Sequence, residues 1–313
     1  MTKIAILIIL IFTSLPISGG TKDRFEQKVI NSKIGSELRI EGTSQKTTGD
    51  SNESLPEYVL SPLPYKKSGY TNFTQSAKAV KAIDLSTNKT FFEKNPSEKL
   101  EVASLTKLMT AVIAVENIKT DEVITVPTLK NMPGESTMGL VAGEKIKMGE
   151  LLHGILIHSA GDAAYTLAVH ISKTEDEFVK LMNKRAEEMM LENTHFSNAS
   201  GYIGTENYSS AQDLLNLTRL LLNNAELKKI VSMRRYQAKN EAGKAYDLET
   251  TNKLLDNVKI FGIKTGYTPQ AGECLITLAK ENNHEILTIV LGSPNRFGET
   301  NNLVSWVYSN WGW

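Results

Sequence analysis

The 313-residue chain carries 35 basic and 35 acidic residues, so it has no net charge with which to hold nucleic acid by its phosphates. A single cysteine excludes an internal disulfide, and the five histidines show no metal-ligand spacing: His153 and His158, five apart, do not share a helix face. No metal or cofactor is expected, and the length accommodates one large domain or two.

Lys3 is followed by an apolar run from Ile4 to Phe12 and then by Ser14, Pro16, Ser18, Gly19 and Gly20. A run that short is the core of a signal peptide rather than a membrane span, and small residues stand where a peptidase cuts. Residues 1–20 are expected to direct export across a bacterial-type membrane into the cell envelope, as a cleaved signal or as a retained anchor. Membrane contact is expected through this segment alone. Residues 21–75 are rich in Ser, Thr, Lys, Glu and Gly, lack an apolar period and include Pro56, Pro62 and Pro64, which is the composition of a disordered linker. The folded domain is expected over 76–313.

Within it, 79–85 reads as a strand, 86–89 as a turn and 90–94 as the returning strand. Helical periodicity then runs from Ser104 to about Ser232, with elements expected at 108–118, 150–157, 162–171, 175–190 and 210–222. The stretch 133–143 holds three glycines and reads as an irregular excursion over the surface. After Phe261, strands are expected at 262–266, 274–279 and 286–291, and a helix at 299–311 closes the chain. Cys274, beside Leu275 and Ile276, reads as a small buried hydrophobe. Strands at both ends of a helical middle predict a mixed α/β (α+β) fold, with an antiparallel sheet built from both termini and an inserted helical lobe.

Ser104 and Lys107 stand three apart where the apolar pattern of Leu108, Val112, Ile113 and Val115 begins. On one helical face, an unprotonated Lys107 can take the proton from Ser104, and the helix start favours negative charge on the serine oxygen. The spacing alone leaves two readings open, a nucleophile with its base or a solvated pair, since Ser86 and Lys89 repeat it in a turn.

Three separated motifs fall in order: Ser104-Leu105-Thr106-Lys107 at a helix start, Ser159-Ala160-Gly161 in a break between helices, and Lys264-Thr265-Gly266 on a strand. This order resembles the penicillin-binding protein and serine β-lactamase group, and more closely the low-molecular-weight D-alanyl-D-alanine carboxypeptidases, over roughly 77–311. Ser136-Thr137-Met138-Gly139-Leu140 and Tyr208-Ser209-Ser210-Ala211-Gln212-Asp213-Leu214 are similar to that family as well. The resemblance implies a β-lactamase/transpeptidase-like fold and a serine peptidase acting on peptidoglycan stem peptides that end in D-Ala-D-Ala. β-Lactam antibiotics would be its covalent inhibitors.

It further implies Ser104 as nucleophile, Lys107 as base and Ser159 as proton relay. Lys264 and Thr265 would hold the substrate carboxylate, and Gly266 would let the substrate lie along the strand. The N–H groups of Ser104 and Tyr267 would form an oxyanion hole, each such donor contributing about 2.7–4 kcal/mol in comparable hydrolases. Lys107 must then be neutral, and burial beside Lys264 would depress its pKa. A helix cap for Ser159 and a solvated strand position for Lys264 stay open as alternatives, and for Arg296 both a surface position and a role in holding the carboxylate stay open.

One member of the substrate-binding set departs from the pattern. The family has asparagine where this chain has Gly161, and that amide hydrogen-bonds the substrate and steadies the lysine. Asp162, the next residue, reads as a helix-start cap. Either water or a neighbour fills the gap and a slowed enzyme results, or the protein binds cell-wall peptides without turnover. One lost hydrogen bond costs about 1–3 kcal/mol, roughly ten- to a hundredfold in rate, which favours the slowed enzyme. D,D-endopeptidase action on cross-links is a further alternative. β-Lactamase activity is disfavoured, because no Glu-x-x-x-Asn element can be placed between 159 and 232 to supply a deacylating base.

Overall fold

The computed structural model describes residues 63–201 and 206–313; the expected signal segment and most of the expected linker lie outside them. The strands are β1 (Tyr65–Lys66), β2 (Ala79–Asp84), β3 (Thr90–Lys94), β4 (Leu100–Glu101), β5 (Val123–Thr125), β6 (Lys145–Lys147) and β7 (Tyr208–Ser209). They continue as β8 (Arg235–Lys239), β9 (Ala245–Glu249), β10 (Ile260–Thr268), β11 (Gly272–Glu281), β12 (His284–Ser293) and β13 (Trp311–Gly312). The helices are α1 (Lys107–Asn117), α2 (Met148–Ile157), α3 (Gly161–Ser172), α4 (Glu175–Glu188), α5 (Ala211–Asn223), α6 (Ala225–Val231) and α7 (Arg296–Asn310).

Chain ends that are far apart in sequence meet in one antiparallel sheet of order β10-β11-β12-β2-β3, with Val290 opposite Val80 and Leu275 opposite Thr265. Alternation along β12 divides its side chains between two cores, since successive residues of a strand point to opposite faces. Leu287, Ile289 and Leu291 face the helical lobe, while Ile286 and Val290 pack with Leu303, Trp306 and Val307 of α7. Both faces are therefore covered, and β11 and β12 read as nearly continuous apolar runs. Cys274 is buried, and burial pushes its thiol up to about 11. Among the described residues no helix is long and apolar enough to cross a membrane.

Two segments differ from the sequence expectation. Residues 63–75, expected as the end of the linker, lie on the domain: Tyr65 and Lys66 pair with Gly312 and Trp311, and Thr71 N–H donates to Asn310 Oδ1 at 2.7 Å. Tyr70 and Phe73 explain this, because both rings pack on Trp306 at centroid distances of 5.7 and 5.2 Å. Two aromatics bury enough apolar area to order a stretch that has no periodicity. The other segment is the β8–β9 hairpin, which falls between the helical pattern expected up to about Ser232 and the strands expected after Phe261. Its outward residues are mostly polar or charged, and Tyr236, Ala238, Tyr246 and Leu248 alternate inward.

Candidate active site

Ser104 lies in a short 3-10 turn, Ala103–Thr106, that leads directly into α1. Side chains three apart nearly eclipse in such a turn, so the Ser104–Lys107 spacing brings the two groups together. Lys107 Nζ stands 3.1 Å from Ser104 Oγ, and the preceding Ala103 has a φ of 49°, in the left-handed region that a non-glycine residue rarely occupies. Lys107 is fully buried and uses all three of its donor directions, reaching Ser104, the Ser200 carbonyl at 2.7 Å and Glu135 Oε1 at 2.6 Å.

Ser159 occupies the break between α2 and α3 with a φ of 62°. Its hydroxyl accepts from Lys264 Nζ at 2.8 Å, and it does not cap α3, where no side chain caps the N-terminus. Lys264 is buried in β10 rather than solvated, and it also donates to the Thr265 carbonyl at 3.0 Å. Thr265 Oγ1 lies 2.6 Å from Thr251 Oγ1 on the chain leading out of β9. Tyr267 is exposed at the mouth of the cleft.

Gly266 has a structural reason beyond the expected room for substrate. A Cβ there would lie 2.7 Å from the Val102 carbonyl oxygen and 3.3 Å from Ser104 N, so only glycine lets β10 press against the turn that carries the serine. Arg296, the first residue of α7, is half-buried and not a free surface residue; its Nη1 donates to the Gly266 carbonyl at 2.8 Å. Ser104, Glu135, Ser159, Thr265, Tyr267 and Arg296 all line one cleft.

Asp162 behaves differently from the expected cap. Inside the first turn of α3, its carboxylate accepts from the N–H groups of Met138, Gly139 and Leu140 and from Ala163, and so ties the glycine-rich loop to the helix. Gly161 N–H donates to the Ser136 carbonyl at 2.8 Å and adds a further tie. The excursion expected over the surface is thus docked, and it delivers Glu135 into the cleft with its side chain only 6% exposed. Glu135, Thr251 and Ser200 are site residues that the sequence reading missed. Glu135 immediately precedes the family-like Ser136–Leu140 segment, and that adjacency is the one signal that could have found it.

Burial drives the pKa of Lys107 below the ordinary lysine value, and the opposing attraction of Glu135 and Asp162 does not cancel the shift. Lys264 is driven well below its ordinary value by burial first, and then by the cationic Lys107 and Arg296. Both amines therefore hold a proton less firmly than a solvated lysine does, which suits Lys107 to accept one and Lys264 to give one up. Among the described residues no group of His, Cys, Asp or Glu is arranged to hold a metal ion.

Residues 66–295 match the peptidase S11 family, described as D-alanyl-D-alanine carboxypeptidase. The chain belongs to that family. It is 33% identical over 229 residues to the D-alanyl-D-alanine carboxypeptidase DacF of Bacillus subtilis, covering 71% of this chain and 59% of the relative. To DacC of Escherichia coli it is 29% identical over 249 residues, covering 74% and 60%. The S11 chain described here thus spans about three fifths of the length of these relatives. Among solved structures it is similar to the Streptomyces K15 DD-transpeptidase, with a TM-score of 0.71 at 27% identity over 76% of this chain and 99% of the other. Penicillin-binding protein 6B of Escherichia coli superposes with a TM-score of 0.69 at 28% identity over 75% and 78%. The transpeptidase-like fold expected from the motif order is the fold of this S11 member.

Proposed function

We propose that this chain is a serine-type D-alanyl-D-alanine carboxypeptidase that releases the terminal D-alanine of peptidoglycan stem peptides through an acyl-enzyme on Ser104. One observation carries the reading: a buried amine, Lys107, lies 3.1 Å from Ser104 Oγ, Lys264 donates to Ser159 Oγ at 2.8 Å, and both serines line one cleft with Thr265 and Arg296. The first pair supports nucleophilic attack, and the second set supports recognition of a free carboxylate by cations and a hydroxyl.

In this reading the substrate lies along β10 with its terminal carboxylate toward Lys264 and Thr265. Lys107 takes the Ser104 proton as Oγ attacks the carbonyl of the penultimate D-alanine, and the N–H groups of Ser104 and Tyr267 receive the developing oxyanion. The C–N bond then breaks, and the leaving amine takes a proton through Ser159, which Lys264 resupplies. Water attacks the ester and gives its proton to Lys264 through Ser159, Lys107 returns its proton to Ser104 Oγ as the ester bond breaks, and the shortened peptide leaves. A β-lactam carbonyl would be attacked by the same oxygen. Residues 1–20 would deliver the enzyme to the cell envelope, where this substrate is found.

The test is incubation of the full chain with a pentapeptide ending in D-Ala-D-Ala. Release of D-alanine, blocked by prior treatment with benzylpenicillin, is the expected result. Absence of both D-alanine release and penicillin binding would sink the reading, and rapid nitrocefin turnover without release would replace it with a β-lactamase.

A further inference from the structure

The gap left by Gly161 is occupied. A Cβ built on Gly161 would lie 2.4 Å from Glu135 Cδ, 2.6 Å from its Oε1 and 2.7 Å from its Cγ, so the carboxylate of Glu135 fills the volume where an asparagine side chain would begin. Its position is built rather than accidental. Asp162 binds three successive loop amides, Gly161 N–H holds the Ser136 carbonyl, and Met138 packs against Gly154, where a Cβ would come within 2.2 Å of its sulfur. Two helix glycines thus make room for the loop, one beneath Met138 and one beneath Glu135.

Glu135 also reaches the groups that an asparagine amide would steady. Its Oε1 accepts from Lys107 Nζ at 2.6 Å, and its Oε2 accepts from Ser200 Oγ at 3.1 Å. Ser200 in turn accepts from Lys107 through its carbonyl at 2.7 Å, which closes a ring of three groups beside the nucleophile.

We infer that Glu135 is a positioning residue for Lys107 that takes over the place of the missing asparagine, and that Glu135 and Gly161 form one coupled pair. This rests on the carboxypeptidase reading of the site. An amide offers a donor and an acceptor, whereas a carboxylate offers acceptors only. The substitution therefore keeps the hold on the lysine and removes a donor from the substrate side of the cleft. An asparagine at 161 would push the Glu135 carboxylate away from Lys107, so restoring the family residue alone disturbs the site.

The test is single-turnover acylation of the full-length chain by a fluorescent penicillin, resolved into a saturation constant and a limiting rate, with melting temperatures measured on the same proteins. Gly161→Asn is expected to lower the limiting rate about tenfold or more, and Glu135→Ala to do likewise. The double variant Glu135→Ala/Gly161→Asn is expected to recover to within about threefold of wild type, as the amide enters the vacated volume. Glu135→Gln, which keeps an oxygen facing Lys107, is expected to retain more of the limiting rate than Glu135→Ala. Gly161→Asn at the wild-type rate with Glu135 present, or a double variant no faster than Glu135→Ala, overturns the pairing. Wild type that fails to acylate at all overturns the carboxypeptidase reading instead; the steric pairing is then judged on melting temperature, where Gly161→Asn must be lowered and the double variant must recover.

Discussion

Lys107→Met is expected to slow acylation by about 10²–10⁴-fold, the range that a positioned general base contributes. It is also expected to destabilise the fold. The variant leaves the nearly buried Glu135 carboxylate without its cation, and removal of one partner from a buried ion pair costs about 3–5 kcal/mol. The two effects separate in a second variant. Lys107→Met combined with Glu135→Leu removes both charges and is expected to regain most of the stability in urea denaturation while staying inactive. Unchanged acylation in Lys107→Met contradicts the assignment of the base, and unchanged stability contradicts the account of the pair.

Lys264→Met is expected to remove activity by about 10²-fold or more, because Ser159 loses its hydrogen-bond partner, yet to stabilise the protein. The opposite sign follows from the surroundings. Lys264 is bonded to a hydroxyl and a carbonyl, with Lys107 and Arg296 as cationic neighbours; among the described residues no carboxylate bonds it, although Glu135 attracts it from a distance. Replacing such a group with an apolar one of similar length removes a buried charge and its repulsion from Lys107 and Arg296, and is expected to raise the melting temperature.

Its pH dependence has a definite sign. The unfolded chain protonates this lysine near the ordinary value of 10.5, and the folded chain only at lower pH. Across that window the unfolded state holds more protons, so wild-type stability rises with pH from the lowered value toward 10.5. Lys264→Met is expected to flatten that rise. A variant less stable than wild type at neutral pH would contradict the account.

The parts of the fold that were legible in the sequence are those where one physical signal dominates. β2 and β3 were marked by β-branched and aromatic residues around a polar turn, and α1, α2 and α5 by apolar periodicity. Ser104, Lys107, Ser159 and Lys264 stood out because reactive residue types fall in a fixed order of short motifs, and the structure pairs Lys107 with Ser104 and Lys264 with Ser159, both serines lining one cleft. Residues 63–75 were not legible, since their order depends on Tyr70 and Phe73 meeting Trp306, more than 230 residues away. Glu135 was hidden for a similar reason. An acidic residue beside glycines looks like a solvated loop, and only the contacts of Asp162 and Gly161 across the fold turn it inward. What fills the space at Gly161 depends on Glu135, which stands 26 residues earlier in the chain and meets it only in the folded structure.

Ser104 as the acylated nucleophile is the claim on which the mechanism and the Glu135 pairing both depend. The direct measurement is intact-mass spectrometry of the full chain after reaction with benzylpenicillin, followed by peptide mapping of the adduct. One penicillin per chain, located on Ser104 and absent from Ser104→Ala, is the predicted result. An adduct on any other residue, or undiminished labelling of Ser104→Ala, would contradict it.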